Sequence, residues 1–153
     1  FILNLQGDEP NIDKNDIISL NSFMINNNSE IGTLAAEIKS DKMLNDQNVV
    51  KVITESKLGK DNFSKALNFT RDSFSKNDQN IYHHIGIYSY KTSILKTFVS
   101  LDQTLSEKQN KLEQLRALDN NLKISVALAN FSPIGVDTKE DYLAIKKIME
   151  YKS

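Results

Sequence analysis

The sequence has no cysteine and no tryptophan, and it has only five glycines and two prolines among 153 residues. The absence of cysteine excludes a disulfide framework, a thiolate metal site and a cysteine nucleophile, and it suits a reducing compartment. Its apolar runs are too short to span a bilayer or to form the core of a signal peptide. These absences predict a soluble, cytoplasmic protein with no membrane partner.

Charge of one sign is also lacking. Nineteen basic and twenty acidic residues give a formal net charge of -1, so no global field attracts nucleic acid, and none is expected as a partner. A chain of this length buries roughly 70% of its unfolded surface when it folds. Residues 1–153 are therefore expected to form a single domain with a real core.

Short apolar segments alternate with amphipathic ones along the chain, a pattern that predicts an α/β layered domain. The predicted strands are 1–5, 31–38, 49–53, 85–90 and 124–128. The predicted helices begin near Asp13, Thr92, Ser106 and Thr138 and include a single helix over 106–119, with Glu107 and Lys111 as a solvent-exposed pair. The stretch 55–80 is polar and predicts loops. In such a fold, ligands bind at the carboxyl ends of the strands.

The first predicted strand is uniformly apolar and begins at residue 1. Such a pattern is typical of a strand buried on both faces. A central strand needs neighbours, and we therefore expect its partners to be encoded upstream, so that the N-terminal part of the domain is missing from this chain.

Two aspartates follow predicted strands. Asp8 lies in a turn after the first strand, and Asp137 follows the strand at 124–128 at the entry to a helix. If those strands are neighbours, the two carboxylates would converge and suit Mg²⁺, which binds carboxylates, water and phosphate oxygens. The alternative is that Asp8 is a turn residue and Asp137 a helix cap, since aspartate is common at both positions.

Four segments carry distinctive residue combinations. They read LQGDEP at 5–10, HIGIYSY at 84–90, LEQLRAL at 112–118 and GVDT at 135–138. Together, and in this order, they resemble the motifs of the 3-deoxy-manno-octulosonate cytidylyltransferases, or CMP-Kdo synthetases. The resemblance extends over essentially the whole chain.

The resemblance implies a Rossmann-like nucleotidyltransferase fold, with α/β/α layers and a mixed, mainly parallel sheet. It implies that CMP is transferred from CTP to the acidic sugar Kdo with release of pyrophosphate, for lipopolysaccharide biosynthesis. Mg²⁺ is the implied cofactor, CTP and Kdo are the implied substrates, and a homodimer is the implied assembly. Reactions of this kind need positioning and charge neutralisation more than a protein nucleophile.

The resemblance also assigns residues. Asp8 and Asp137 are the expected metal ligands and catalytic residues, and Gln6 with Asp8 is expected beside the nucleotide. The residues expected to bind the sugar are Lys65, Arg71, His84, Tyr88, Glu113 and Gln114. Basic groups among these suit the sugar carboxylate, and mixed donors and acceptors suit its hydroxyls.

Each of these residues has a purely structural alternative. His84 would be a half-buried strand histidine, Tyr88 a core aromatic with a wet hydroxyl, and Glu113 with Gln114 an exposed helix face. Arg116 is expected to be structural and paired with a nearby acid. His83, on the opposite strand face, is expected to face solvent.

Two departures from the family pattern bear on function. Lys65 stands where the family has arginine, and an ammonium lacks the bidentate fork that matches a carboxylate. The chain also has no glycine-rich phosphate loop, so it is expected to be inactive alone. The alternatives are a cytidylyltransferase for a related acidic sugar, such as a modified Kdo or a nonulosonic acid, and a non-catalytic truncated remnant.

Overall fold

The structure is a computed structural model that describes residues 1–5, 12–60, 62–130 and 139–150. Its strands are β1 (Ile2–Leu5), β2 (Ile31–Ala36), β3 (Lys51–Thr54), β4 (Ser64–Thr70), β5 (Ile81–Tyr90) and β6 (Ile124–Leu128). Its helices are α1 (Lys14–Asn26), α2 (Asp41–Asn45), α3 (Thr92–Ser100), α4 (Leu105–Asn110), α5 (Gln114–Asp119) and α6 (Lys139–Glu150). The predicted α/β class is confirmed.

The described strands form one mixed sheet in the order β1-β5-β2-β6-β4-β3. Strands β1, β2 and β6 point the same way, because β1 and β2 are both antiparallel to β5 and β6 is parallel to β2. The expected predominance of parallel pairing is wrong for this sheet, since β2–β6 is the one parallel pair between its described strands. The reason lies in the run from β3 to β5, where no crossover helix separates consecutive strands and short connections favour antiparallel pairing.

Strand β3 pairs with β5 as well as with β4. Strands β5, β2, β6, β4 and β3 thus form a closed circuit of hydrogen-bonded neighbours. On one side of the sheet, the larger core cluster joins these strands to α3 and α5. On the other side, a smaller cluster packs α1 against β2, β5 and β6. The sheet therefore lies between helices, as the layered prediction requires.

Helix α1 packs against β2 at Gly32. A Cβ atom added at Gly32 would lie 2.5 Å from Met24 Sδ and 3.0 Å from Leu20 Cδ1, so these side chains would have to move. The glycine therefore leaves room for the Met24 and Leu20 side chains against the strand. The predicted start of this helix near Asp13 is confirmed, because Asp13 is its N-cap and its Oδ1 accepts a 2.7 Å hydrogen bond from the Asn15 amide.

Strand β1 is present as predicted, and in this chain it is not buried on both faces. Its residues are half exposed, with Leu3 at 41% and Leu5 at 52%. The reason is its place at the edge of the described sheet, where β5 is its described partner. The apolar sequence of a strand shows that its side chains can be buried, but their actual burial depends on the position of the strand in the sheet.

Two further corrections concern the middle of the chain. The stretch predicted as loops contains β4, and the single helix predicted over 106–119 is two helices. Lys111 ends α4 in the left-handed region, with φ of 53°, so the helix axis breaks there. Glu107 is buried rather than paired with Lys111 on the surface.

Candidate functional site

The predicted metal and nucleotide residues Gln6, Asp8 and Asp137 lie outside the described residues. The strands that precede them are described, and they are not neighbours, since β5 and β2 separate β1 from β6. Their carboxyl ends nevertheless point toward the same edge of the sheet, because the two strands run in the same direction. Among the described residues, no group of three or more histidine, aspartate or glutamate side chains could hold a metal ion.

A cavity of about 590 Å³ opens at this same edge. It lies between the start of α1 and the ends of β2 and β6, and it is lined by both acidic and basic side chains. The polar and charged residues of its lining are Asp13, Asn15, Glu37, Lys39, Lys60 and Asn130. The position agrees with the rule that ligands of α/β sheets bind outside the carboxyl ends of parallel strands.

The start of α1 is tied to the end of β6 beside this cavity. Asp16 is 5% exposed and accepts hydrogen bonds from the Asn130 amide at 3.0 Å and from Asn130 Nδ2 at 2.5 Å. Burial raises the pKa of the Asp16 carboxyl, and the Asn130 amide partly opposes that rise. Sequence analysis missed this pair, because residues 114 positions apart give no local signal.

His84 lies in β5 on the side of the sheet that faces α3 and α5. Its ring contacts Phe69 edge-on, with 5.1 Å between ring centroids, and its Nε2 is 3.0 Å from Thr33 Oγ1. Burial among these groups lowers the pKa of His84 to about 3. The imidazole is therefore neutral at pH 7 and cannot serve as a cation for a carboxylate.

Aromatic side chains continue from His84 along the sheet. Ring centroids are 5.4 Å apart from His84 to Tyr88, 5.8 Å from Tyr88 to Tyr90, and 5.9 Å from Tyr90 to Phe98. We call Phe69, His84, Tyr88, Tyr90 and Phe98 the aromatic row. The row joins two of the residues predicted to bind the sugar, His84 and Tyr88.

An ion-pair cluster closes the far end of the aromatic row. The Arg116 guanidinium lies 4.8 Å from the centroid of the Phe98 ring and binds Glu107 through both Nε at 2.8 Å and an Nη at 2.7 Å. The same Nη donates to Glu113 at 3.2 Å. The prediction that Arg116 is structural and paired with an acid is thus confirmed, and the pairing ties the predicted sugar residue Glu113 to the row.

These groups shift one another's ionisation. The hydrogen bonds from Arg116 hold the pKa of Glu107 below its usual range. Burial raises the pKa of the Tyr90 hydroxyl to about 12, and the nearby charge of Glu113 adds to that rise. The Arg116–Glu107 pair therefore stays charged at pH 7, while Tyr90 and His84 of the row are neutral.

The other predicted sugar residues are placed elsewhere. Lys65 is exposed on β4, and strand alternation puts it on the face opposite Ala66, which packs in the larger core cluster with Tyr88. Gln114 is the half-buried first residue of α5. His83 is half-buried rather than solvent-facing, and burial lowers its pKa.

Arg71 follows β4 and donates hydrogen bonds to the carbonyl oxygens of Gln47 at 3.2 Å and Asn48 at 2.9 Å. The fully buried Lys51 holds the same region, because its Nζ lies 2.6 Å from the carbonyl oxygen of Asp46 and 3.4 Å from that of Arg71. Burial lowers the pKa of this lysine. In this arrangement Arg71 stabilises the connection before β3, and it is not drawn to the aromatic row.

Comparison with known proteins gives a consistent result. The profile of a family described as Cytidylyltransferase matches residues 1–124. The chain is 42% identical over 148 residues to a 3-deoxy-manno-octulosonate cytidylyltransferase of Bartonella bacilliformis, an alignment covering 97% of this chain and 60% of the relative. A protein of the same name from Thermodesulfovibrio yellowstonii is also 42% identical, over 154 residues. The chain thus spans about 60% of the length of these relatives.

Two solved structures resemble the fold. The structure of a CMP:2-keto-3-deoxy-manno-octonic acid synthetase complexed with CTP matches 99% of this chain and 62% of its own, with a TM-score of 0.85 and 27% identity. A UTP-bound UGPase from Acinetobacter baumannii has a TM-score of 0.62 at 11% identity, a level that shows a shared fold alone.

Proposed function

Since this chain belongs to the cytidylyltransferase family, we propose that the protein carrying it transfers CMP from CTP to Kdo, forming CMP-Kdo and pyrophosphate for lipopolysaccharide biosynthesis. The observation that carries the proposal is the aromatic row with its charged end. It aligns His84, Tyr88 and Glu113, three of the residues that the family pattern assigns to the sugar, in a fold similar to that of a synthetase named for this sugar.

The proposed cofactor is Mg²⁺, held by Asp8 and Asp137. The same two aspartates are the proposed catalytic residues. A set of two carboxylates fits this hard cation, and the carboxyl ends of β1 and β6 lie on one edge of the sheet, which supports the pairing. When bound, the metal would supply charge neutralisation for the phosphates of CTP. Gln6 is proposed to bind the nucleotide beside Asp8.

The aromatic row and its charged end suit a polyhydroxylated sugar. Tyrosine hydroxyls, the neutral imidazole and the Glu113 carboxylate together provide donors and acceptors for hydroxyl groups. The neutral His84 cannot bind the sugar carboxylate as a cation. Lys65 and Arg71 remain the proposed basic residues for the sugar, and both lie away from the aromatic row in this structure. Gln114 is proposed as a further polar contact.

Several wider assignments accompany this function. We propose that residues 1–153 form one domain, that the protein is a cytoplasmic homodimer, and that it uses neither nucleic acid nor membrane as a partner. Among the described residues, no helix has both the length and the apolar composition needed to cross a membrane. We also propose that the 153-residue chain alone lacks turnover, because its sequence contains no glycine-rich phosphate loop.

The test is a pyrophosphate-release assay with CTP, Mg²⁺ and either Kdo or sialic acid. It is run on the 153-residue chain and on an extended protein, in which this chain is joined to the part of the Bartonella bacilliformis relative that it does not cover. We expect turnover only in the extended protein, with Kdo preferred, and loss of turnover in Asp8→Asn and Asp137→Asn. Turnover with sialic acid alone would favour a related sugar, and none with either sugar in a folded, extended protein would refute the proposal.

A further inference from the structure

Thr33 occupies an unusual position in the sheet. It is fully buried on β2 and faces a bulge in β5, where Thr33 pairs with Tyr88 but the next residue, Leu34, pairs with Ile85. Two residues of β5 are thus left over between these pairs. The bulge brings two backbone carbonyl groups and the His84 ring to the same hydroxyl.

The hydroxyl oxygen of Thr33 has three polar neighbours. The carbonyl oxygen of Ile87 is 2.7 Å away, that of Ile85 is 3.3 Å away, and His84 Nε2 is 3.0 Å away. A carbonyl oxygen can only accept, so the single proton of Thr33 must be donated to a carbonyl, and the short distance selects Ile87. Toward His84, the hydroxyl can then act only as an acceptor.

The single hydroxyl proton of Thr33 determines which nitrogen of the His84 imidazole is protonated. If Nε2 lacked a proton, its lone pair and that of the Thr33 oxygen would face each other at 3.0 Å with no hydrogen between them. Nε2 must therefore carry the proton, and in a neutral ring Nδ1 is then an acceptor. Within the described part of the chain, the Thr33 contact is the one hydrogen bond to the His84 ring.

We propose that Thr33 is a positioning residue that fixes His84 as the Nε2-protonated tautomer, whose Nδ1 accepts a hydrogen bond from a hydroxyl of the acidic sugar. The proposal deepens the proposed function and rests on it. Burial supports the neutral state, since it lowers the pKa of His84 to about 3 and the neighbouring His83 adds to that shift.

A consequence for specificity follows. An acceptor in an apolar surrounding must be satisfied when the ligand excludes water, so a sugar that lacks the matching hydroxyl leaves Nδ1 unpaired. The carboxylate of the sugar cannot replace that hydroxyl, because it is itself an acceptor. His84 thus selects the hydroxyl pattern of the sugar rather than its charge.

The first experiment reads the tautomer directly by ¹⁵N NMR of histidine-labelled protein, because protonated and bare ring nitrogens have well-separated shifts. The 153-residue chain has two histidines, and the His84 signals are assigned by their loss in His84→Gln. We expect a protonated Nε2 and a bare Nδ1 in the wild type and in Thr33→Ser. In Thr33→Val, which keeps the shape but removes the hydroxyl, we expect a mixture of tautomers.

The second experiment measures KM for Kdo in the extended protein. Thr33→Val is expected to raise it about tenfold, with kcat and KM for CTP little changed, and Thr33→Ser is expected to restore it. Thr54→Val is the matched control. Thr54 is a buried strand threonine whose hydroxyl also bonds to carbonyl groups, those of Ser56 at 2.8 Å and Asn80 at 3.3 Å, and its loss should change neither the tautomer nor the KM.

The outcomes separate the two proposals. An Nδ1-protonated His84 ring in the wild-type 153-residue chain, or an unchanged KM for Kdo in the folded Thr33→Val variant of an active extended protein, would overturn the role of Thr33. Absence of Kdo turnover in the extended wild-type protein would overturn the proposed function and the ligand named here. The predicted tautomer together with the tenfold rise in KM supports both.

Discussion

A titratable group is buried near each end of the aromatic row, His84 near one and Arg116 near the other, and the two groups differ in charge. At one end His84 is buried without an opposite charge, and its pKa falls until the ring is neutral. At the other end Arg116 is nearly as buried, with 11% of its side chain exposed, but a guanidinium stays charged, and Glu107 balances that charge through two hydrogen bonds. A buried titratable group is either neutralised or paired, and the available partner decides which.

The difference also separates the two ends in function. A neutral imidazole can recognise a hydroxyl with one lone pair, whereas the Arg116–Glu107 pair is satisfied internally and instead orients Glu113. One end thus presents an acceptor whose state is fixed by a hydroxyl, and the other presents a carboxylate held by a guanidinium. Breaking either arrangement should have consequences that differ in size and in pH dependence.

The largest effect is expected from Glu107→Gln. An amide cannot balance the Arg116 charge, and we expect a loss of about 3 kcal/mol in the free energy of unfolding, near the low end for a broken buried pair because Glu113 remains as a partner. Glu113→Gln is the matched control. The Glu113 side chain is 67% exposed, so the expected loss is below about 1 kcal/mol. Urea denaturation measures both, and equal losses would contradict the pairing described here.

The next effect is a pH dependence at the neutral end. The folded pKa of His84 is about 3 and the unfolded value is 6.5, so the unfolded chain takes up a proton that the folded chain refuses as the pH falls through 6.5. Stability should therefore fall with falling pH, by about 2 kcal/mol between pH 8 and pH 5 from this residue.

The His84→Gln variant isolates this contribution from that of other groups. His83, whose pKa is also lowered by burial, contributes in the same direction, so some slope should remain in the variant. His83→Gln should keep most of the His84 slope. A His84→Gln chain with the same loss of stability between pH 8 and pH 5 as the wild type would show that His84 is protonated normally.

Much of the fold could be predicted because short runs of apolar residues identify buried strands in the sequence. Strands β5 and β6 are rich in β-branched and aromatic residues. They and β2 were predicted within a few residues. Strand β4 was missed because its sequence, SKALNFT, exposes three of its seven residues and reads as polar. The break between α4 and α5 was missed because lysine, rather than glycine or asparagine, adopts the left-handed conformation at 111.

The candidate site could likewise be predicted only in part. The motifs supplied the identities of His84, Tyr88 and Glu113, but no local pattern reveals that Thr33 touches His84 from 51 residues away. Glu107 was predicted to be exposed because its spacing to Lys111 suits a continuous helix, and the helix is broken there. Contacts made by tertiary structure follow from strand register and helix ends, and these are the features that sequence patterns specify least.

A third buried group sharpens the comparison with the smallest effect. Asp16 is buried and accepts two hydrogen bonds from Asn130, and burial raises the pKa of its carboxyl. Asp16→Asn removes the cost of burying a charge, but it also turns one of the two accepting oxygens into an NH2 group that faces an Asn130 donor. Because these effects oppose each other, we expect a change in stability below about 1 kcal/mol. Asn130→Ala, which leaves the carboxylate with fewer donors, should cost about 1.5 kcal/mol. If urea denaturation instead shows a larger loss of stability for Asp16→Asn than for Asn130→Ala, the negative charge of Asp16 is itself stabilising. Asp16 would then resemble Glu107, a buried carboxylate that stays charged, rather than His84, a buried group that is neutral.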